Sequence, residues 1–113
     1  MKDRVIGTIQ MAVKARKTIR GDGLLPSIIN GKTRLVVFSS RIGNNSRKKI
    51  LKKSATAGIP AVELDFIRFN EISDQPASAY GIADDGFAKS ILEKLEQEKD
   101  AAAAGNAAKQ ENR

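Results

Sequence analysis

The sequence predicts a three-layer α/β/α sandwich folded as one domain, on three observations. Segments with helical periodicity alternate with short β-branched runs along most of the chain. One of those runs, Leu35 to Phe38, is apolar without interruption and lies between turn residues, as a strand covered on both faces should. The length, 113 residues, suits one core and not two.

The elements follow in order. An amphipathic opening helix is expected over residues 3 to 14, where Val5, Ile6, Ile9 and Val13 recur at helical spacing with Met11 and Ala12 beside them. Arg16 to Arg20 contains two β-formers, Thr18 and Ile19, and reads as a short strand ahead of the turn Gly21-Asp22-Gly23. A second helix is expected from Asp22, as its cap, to Asn30. Pro26 sits near its first turn, Gly31 stops it, and Leu24, Leu25, Ile28 and Ile29 face inward. The buried strand spans Arg34 to Ser40 and opens into a polar loop, Arg41-Ile42-Gly43-Asn44-Asn45.

Residues 45 to 57 read as a third helix, with Asn44, Asn45 or Ser46 as cap and Gly58 as stop. Its expected inner side is Ile50, Leu51 and Ala55. Arg47, Lys48, Lys49, Lys52 and Lys53 make another side strongly basic. Ile59 to Leu64 supplies a strand entered through Pro60, Phe66 to Ile72 a short helix, and Ser78 to Ala83 the last strand, for a sheet of about four. Asp84-Asp85-Gly86 caps a final helix from Phe87 to about Glu98. The domain is therefore placed at residues 1–98, and 99–113, without an apolar pattern, is read as a disordered tail.

Composition removes most enzyme classes. With no Cys and no His, the chain has no material for disulfides, thiolate or zinc sites, Ser-His-Asp triads or Cys nucleophiles. No catalytic residue, metal or cofactor is expected. No apolar run approaches the roughly 20 residues that span a bilayer, and none has the form of a signal peptide, so the expected location is cytoplasmic, with no membrane partner.

The net charge of +7 is unevenly distributed. Residues 1 to 53 carry 14 Lys and Arg against 2 acids, and residues 54 to 113 carry 6 against 11. Net +12 against net −5 points to a polyanion-binding surface on one side, because phosphate contacts release condensed counterions.

Three local patterns compete to explain the basic half. Gly21-x-Gly23 lacks the third glycine of a dinucleotide loop, and Asn30-Gly31-Lys32-Thr33 lacks the earlier glycine and the following helix of a P-loop. Asp84-Asp85 and Glu63 with Asp65 are possible acid/base pairs, but an Asp at a helix start more often caps it. The remaining pattern is a surface joining Lys17 to Gly23 with the loop Ser39 to Lys49. Glycines there allow close backbone approach, helix N-termini offer free N–H groups, and Asn side chains both donate and accept. Phe38 is the one ring of the basic half and belongs to the buried strand, which disfavours single-strand binding on exposed rings and favours a structured RNA.

The strings ARKTIRGDGLL, INGKTRLVVFSSRIGNNSRKKI, AGIPAVEL and GIADDGFAKSILEKL, between about Val5 and Leu95, resemble a known family. It is the bacterial YlxQ-like branch of the kink-turn-binding ribosomal protein superfamily, whose relatives are L-seven-Ae and L-thirty-e. The resemblance implies a mixed sheet of the L-thirty-e type and a non-catalytic, monomeric protein that binds structured RNA such as a kink-turn, within the ribosome or another ribonucleoprotein. It places Gly21 at the start of the RNA-contacting motif, with Asp22, Gly23 and Leu24 where the family usually has Asn or Lys followed by Glu or Gln. Asn45-Ser46 matches a polar pair before the third helix, and Arg41 replaces an acidic residue. The expected RNA contacts are Lys17, Arg20 and Arg41 near phosphates, Gly21 and Gly23 at close backbone approach with Asp22 between them in the contact set, Asn44 and Asn45 at base or sugar edges, and Arg47 and Lys48 extending the footprint. The competing expectations are a protein-interaction scaffold on the same fold, and the RNA-binding half of a modification enzyme whose catalytic domain is another chain.

Overall fold

A computed structural model describes residues 3–74 and 76–111, with side chains as far as Ala101. The elements are α1 (Arg4–Lys14), β1 (Thr18–Ile19), a 3₁₀ turn (Gly21–Gly23), α2 (Leu24–Ile29), β2 (Leu35–Ser39), α3 (Asn44–Ala57), β3 (Ala61–Leu64), α4 (Phe66–Phe69), β4 (Ala79–Ile82) and α5 (Asp85–Glu111). The strands form one mixed sheet in the order β1-β4-β2-β3. β3 runs parallel to β2, the connection being made by α3, while β4 is antiparallel to both β2 and β1.

Alternation along β2 divides the core. Leu35 and Val37 point to one face, where α1, Phe69 of α4 and Ile91 of α5 cover them; Val36 and Phe38 point to the other, under α2 and α3. All five β2 residues are buried, as the uninterrupted apolar run predicts for a central strand in a three-layer sandwich.

α2 approaches the sheet closely at Gly81 of β4. A Cβ there would lie 2.6 Å from Thr33 Oγ1 and 2.7 Å from Leu24 Cδ1, so only glycine admits the helix at this depth. The approach is sealed by polar groups as well. The fully buried Thr33 hydroxyl meets Ser27 Oγ at 2.6 Å, and Ser27 Oγ donates to the Leu24 carbonyl. The Asn30-to-Thr33 string is thus a turn holding α2 down.

Several local expectations are corrected. Asp22 does not cap the second helix: the chain enters α2 through the 3₁₀ turn with Gly23 at the N-cap, and no side chain bonds the helix start. Pro26 falls within the first turn, where its missing N–H costs no helical bond. Ile29 is exposed because the buried face of so short a helix is set by Leu24, Ser27 and Ile28, leaving Ile29 on the far side. α3 starts from Gly43, also without a side-chain cap, and buries Ile50 and Ser54 at i, i+4. Leu51 and Ala55, one position on, point outward. Met11 is likewise exposed. α5 continues past the expected end at Glu98 to Glu111, through an alanine-rich segment of high helix propensity. Of the expected tail, residues 112–113 lie outside the described residues.

Candidate nucleic-acid interface

The site forms where the 3₁₀ turn, the start of α3 and the entry to β4 converge. Gly21 opens it at φ +70°, a left-handed conformation that strains any other residue apart from Asn or Asp. A groove of about 750 Å³ follows, between Arg20, Gly21, Leu24 and Leu25 on one side, Ile42, Ser46, Lys49 and Ile50 on another, and Pro76 to Ala79 at its end. Its floor is apolar and its rim carries Arg20 and Lys49.

Arg20 and Gly21 therefore meet the α3 loop as expected. Asp22, Gly23, Asn44 and Asn45 are exposed beside the groove, while Lys17 and Lys48 are exposed outside its lining. Lys17 stands at the edge of the sheet, its carbonyl accepting from Ala83 N–H at 2.8 Å. Arg47 is directed elsewhere: it pairs with Glu63 and lies over the Phe38 ring, 5.4 Å from the centroid. That pairing weakens its expected role as a footprint extension. Ile42 and Lys49 fall within the expected Ser39-to-Lys49 surface without having been named as contacts, and sequence reasoning missed Leu25 and the Pro76-to-Ala79 segment. The available signal was Ile42, an apolar residue in an otherwise polar loop.

Electrostatics at α3 run against helix stability. Its first turn contains no acidic residue and its last turn no basic one, while Arg47, Lys48 and Lys49 crowd toward the positive end of the helix dipole. Lys48 with Lys52, and Lys49 with Lys53, are like-charge i, i+4 neighbours. Among the described residues no carboxylate is within ion-pair distance of these four lysines, nor of Lys17, Arg20 or Arg41. The backbone N–H groups of Asn44, Asn45 and Ser46, at the uncapped start of α3, add donors of the same sign. The whole arrangement attracts a polyanion.

The carboxylates have structural duties. Asp84 Oδ2 accepts from Phe87 N–H at 2.9 Å and caps α5, Asp65 Oδ2 accepts from Ile67 N–H at 3.1 Å and caps α4, and Glu63 holds Arg47. Asp85 lies 3.3 Å from Arg34.

No protein-family model matches the chain. It is similar to the RNA-binding protein YlxQ of Enterococcus faecium, 30% identical over 97 residues that cover 84% of this chain and 94% of that protein. Among solved structures it superposes on a protein of unknown function from Bacillus halodurans with a TM-score of 0.77 and 22% identity, covering 84% of this chain and 99% of the other. It also superposes on the Giardia lamblia 15.5kD RNA binding protein with a TM-score of 0.61 and 15% identity, over 86% and 89% of the two chains. With that identity sustained over most of both sequences, and with the mixed four-stranded sandwich in place, the chain belongs to the family of the RNA-binding protein YlxQ.

Proposed function

We propose that this chain binds structured RNA without catalysing a reaction on it, and that its target is a kink-turn or similarly bent RNA in the ribosome or another cytoplasmic ribonucleoprotein, bound by a monomer. The observation that carries this reading is the groove between Gly21 and α3, apolar at its floor and rimmed by unpaired cations. A continuous duplex is too broad to enter such a groove, but a sharp bend or an unstacked nucleotide presents a narrow edge flanked by phosphates. Gly21 brings the backbone close, Arg20 and Lys49 meet phosphates at the rim, and Asn44 and Asn45 reach base or sugar edges from the start of α3. Lys17 and Lys48 supply attraction that does not depend on sequence. The relatives named as RNA-binding proteins support the same reading.

Replacing Arg20 and Asn45 together with alanine tests it. The expected result is a loss of about ten-fold or more in affinity for a kink-turn RNA at moderate salt, with the melting temperature unchanged, from one phosphate and one edge contact. Unchanged affinity would move the interface away from the groove.

A further inference from the structure

The guanidinium of Arg41 lies over the Phe66 ring, its central carbon 3.7 Å from the ring centroid. The two residues are brought together by Ser40. Its backbone N–H donates to the Leu64 carbonyl at 2.8 Å, and its hydroxyl accepts from Phe66 N–H at 2.9 Å. Arg41 N–H in turn donates to Ser39 Oγ at 3.2 Å. The ends of β2 and β3 thus hold both partners in position before any ligand arrives, and a preformed surface loses little freedom on binding.

Arg47 provides the contrast within the same loop and helix. It also lies over a ring, but its charge is engaged by Glu63. Arg41 is exposed, and no described carboxylate pairs with it. A guanidinium covered by a ring on one face keeps its second face and the N–H donors of its plane available. A nucleobase offers the complementary features, a flat π-face and acceptor atoms at its edge. A base stacked inside a duplex does not expose that face, whereas an unpaired one does.

Position narrows the ligand further. Neither Arg41 nor Phe66 lines the groove, which reaches Pro76 to Ala79 beside β4; their stack stands at the ends of β2 and β3, one residue before Ile42 of the groove wall. We infer that Arg41, backed by Phe66, is a stacking shelf for an unpaired nucleobase of the bound RNA, separate from the groove. The inference rests on the RNA-binding reading above and assigns Arg41 a role beyond phosphate contact.

The test uses the full chain and a kink-turn RNA carrying 2-aminopurine at each unpaired position in turn. Binding and fluorescence are measured for wild type, Arg41→Lys and Phe66→Leu. Arg41→Lys keeps the charge and removes the plane, so affinity should fall about ten-fold with the salt dependence unchanged, as for loss of one stacked base. Quenching at one nucleotide should disappear with it. Phe66→Leu should weaken affinity several-fold with no change of charge, and its melting curve shows whether the fold is kept. Arg41→Lys binding as wild type, with quenching retained, would overturn the shelf and leave Arg41 as a phosphate contact. Failure of wild type to bind the RNA at all would overturn the RNA-binding reading, and the shelf with it.

Discussion

Arg68 and the lysines of α3 stand in opposite surroundings. Arg68, on α4, is half-buried and meets two carboxylates: it donates to both oxygens of Asp3, at 2.5 and 3.0 Å, and pairs with Glu98 of α5. Asp3 meanwhile caps α1 by accepting from Ile6 N–H at 3.1 Å. One cation thereby ties three helices together on one face of the sheet. On the other face Lys48, Lys49, Lys52 and Lys53 share one helix with no acid on it and repel one another. The difference teaches that net charge alone does not locate an interface. A cation consumed by neighbouring carboxylates supports the fold, and cations left without them are available to a polyanion.

The largest effect expected bears on how the two faces join. Gly81→Val would force side-chain atoms into buried Thr33 and Leu24, costing about 2–3 kcal/mol in denaturant unfolding, with α2 and the groove displaced together. A neutral result would mean that α2 is not seated as tightly as the geometry requires.

Charge reversal separates the faces directly. Lys48→Glu with Lys52→Glu should lower RNA affinity about ten- to a hundred-fold and flatten its dependence on salt by about two counterions. Stability should hold or rise by a few tenths of a kcal/mol, as repulsion and the unfavourable charge near the helix start are relieved. Titration of affinity against salt, beside a melting curve, reads both.

Arg68→Ala should do the reverse, costing about 1–2 kcal/mol of stability and leaving RNA affinity alone. The figure is kept low because the cluster is partly open to solvent. It should also change the acid limb of the stability curve. The hydrogen bond from Arg68 holds the Asp3 carboxyl below its ordinary value, against the opposing effect of burial. A carboxyl with a folded pKa below its unfolded one stabilises fully above the unfolded value of about 4, and the contribution fades as pH falls through the folded value. Unfolding measured from about pH 7 to 2 should therefore show a shallower acid loss in Arg68→Ala than in wild type.

The smallest effect is expected at the end of α5. Among the described side chains of α5, those that pack on the core end with Leu95, and Glu98 holds Arg68. Ending the chain after Lys99 should then alter stability by less than about 0.5 kcal/mol, and amides beyond that point should exchange with solvent much faster than those near Ile91.

Much of this fold is legible in the sequence because burial enforces a period. The apolar run of β2, the helical spacing of Val5, Ile6 and Ile9, and the Asp84 cap of α5 each follow from local rules that the packed structure also obeys. The helix starts around the site are less legible. Gly23 and Gly43 occupy N-cap positions where Asp22 and, for α3, Asn44, Asn45 or Ser46 are the chemical candidates, because chain entry through a 3₁₀ turn and an extended glycine takes precedence over side-chain capping. The groove's basic rim follows from composition, but its Pro76-to-Ala79 end does not, since that contact is tertiary. Phe66 illustrates the same limit: a search of the basic half for exposed rings finds none, yet the crossover from β2 to β3 brings a ring from the acidic half onto Arg41.

The central claim is that the groove reads a bend and the cations supply the attraction. The most direct test compares affinity for a short kink-turn RNA with that for a straight duplex of equal length, each across a salt series. The expected result is a preference for the kink-turn that persists at high salt while duplex binding falls away. Equal affinity for the two RNAs, collapsing together as salt rises, would contradict it.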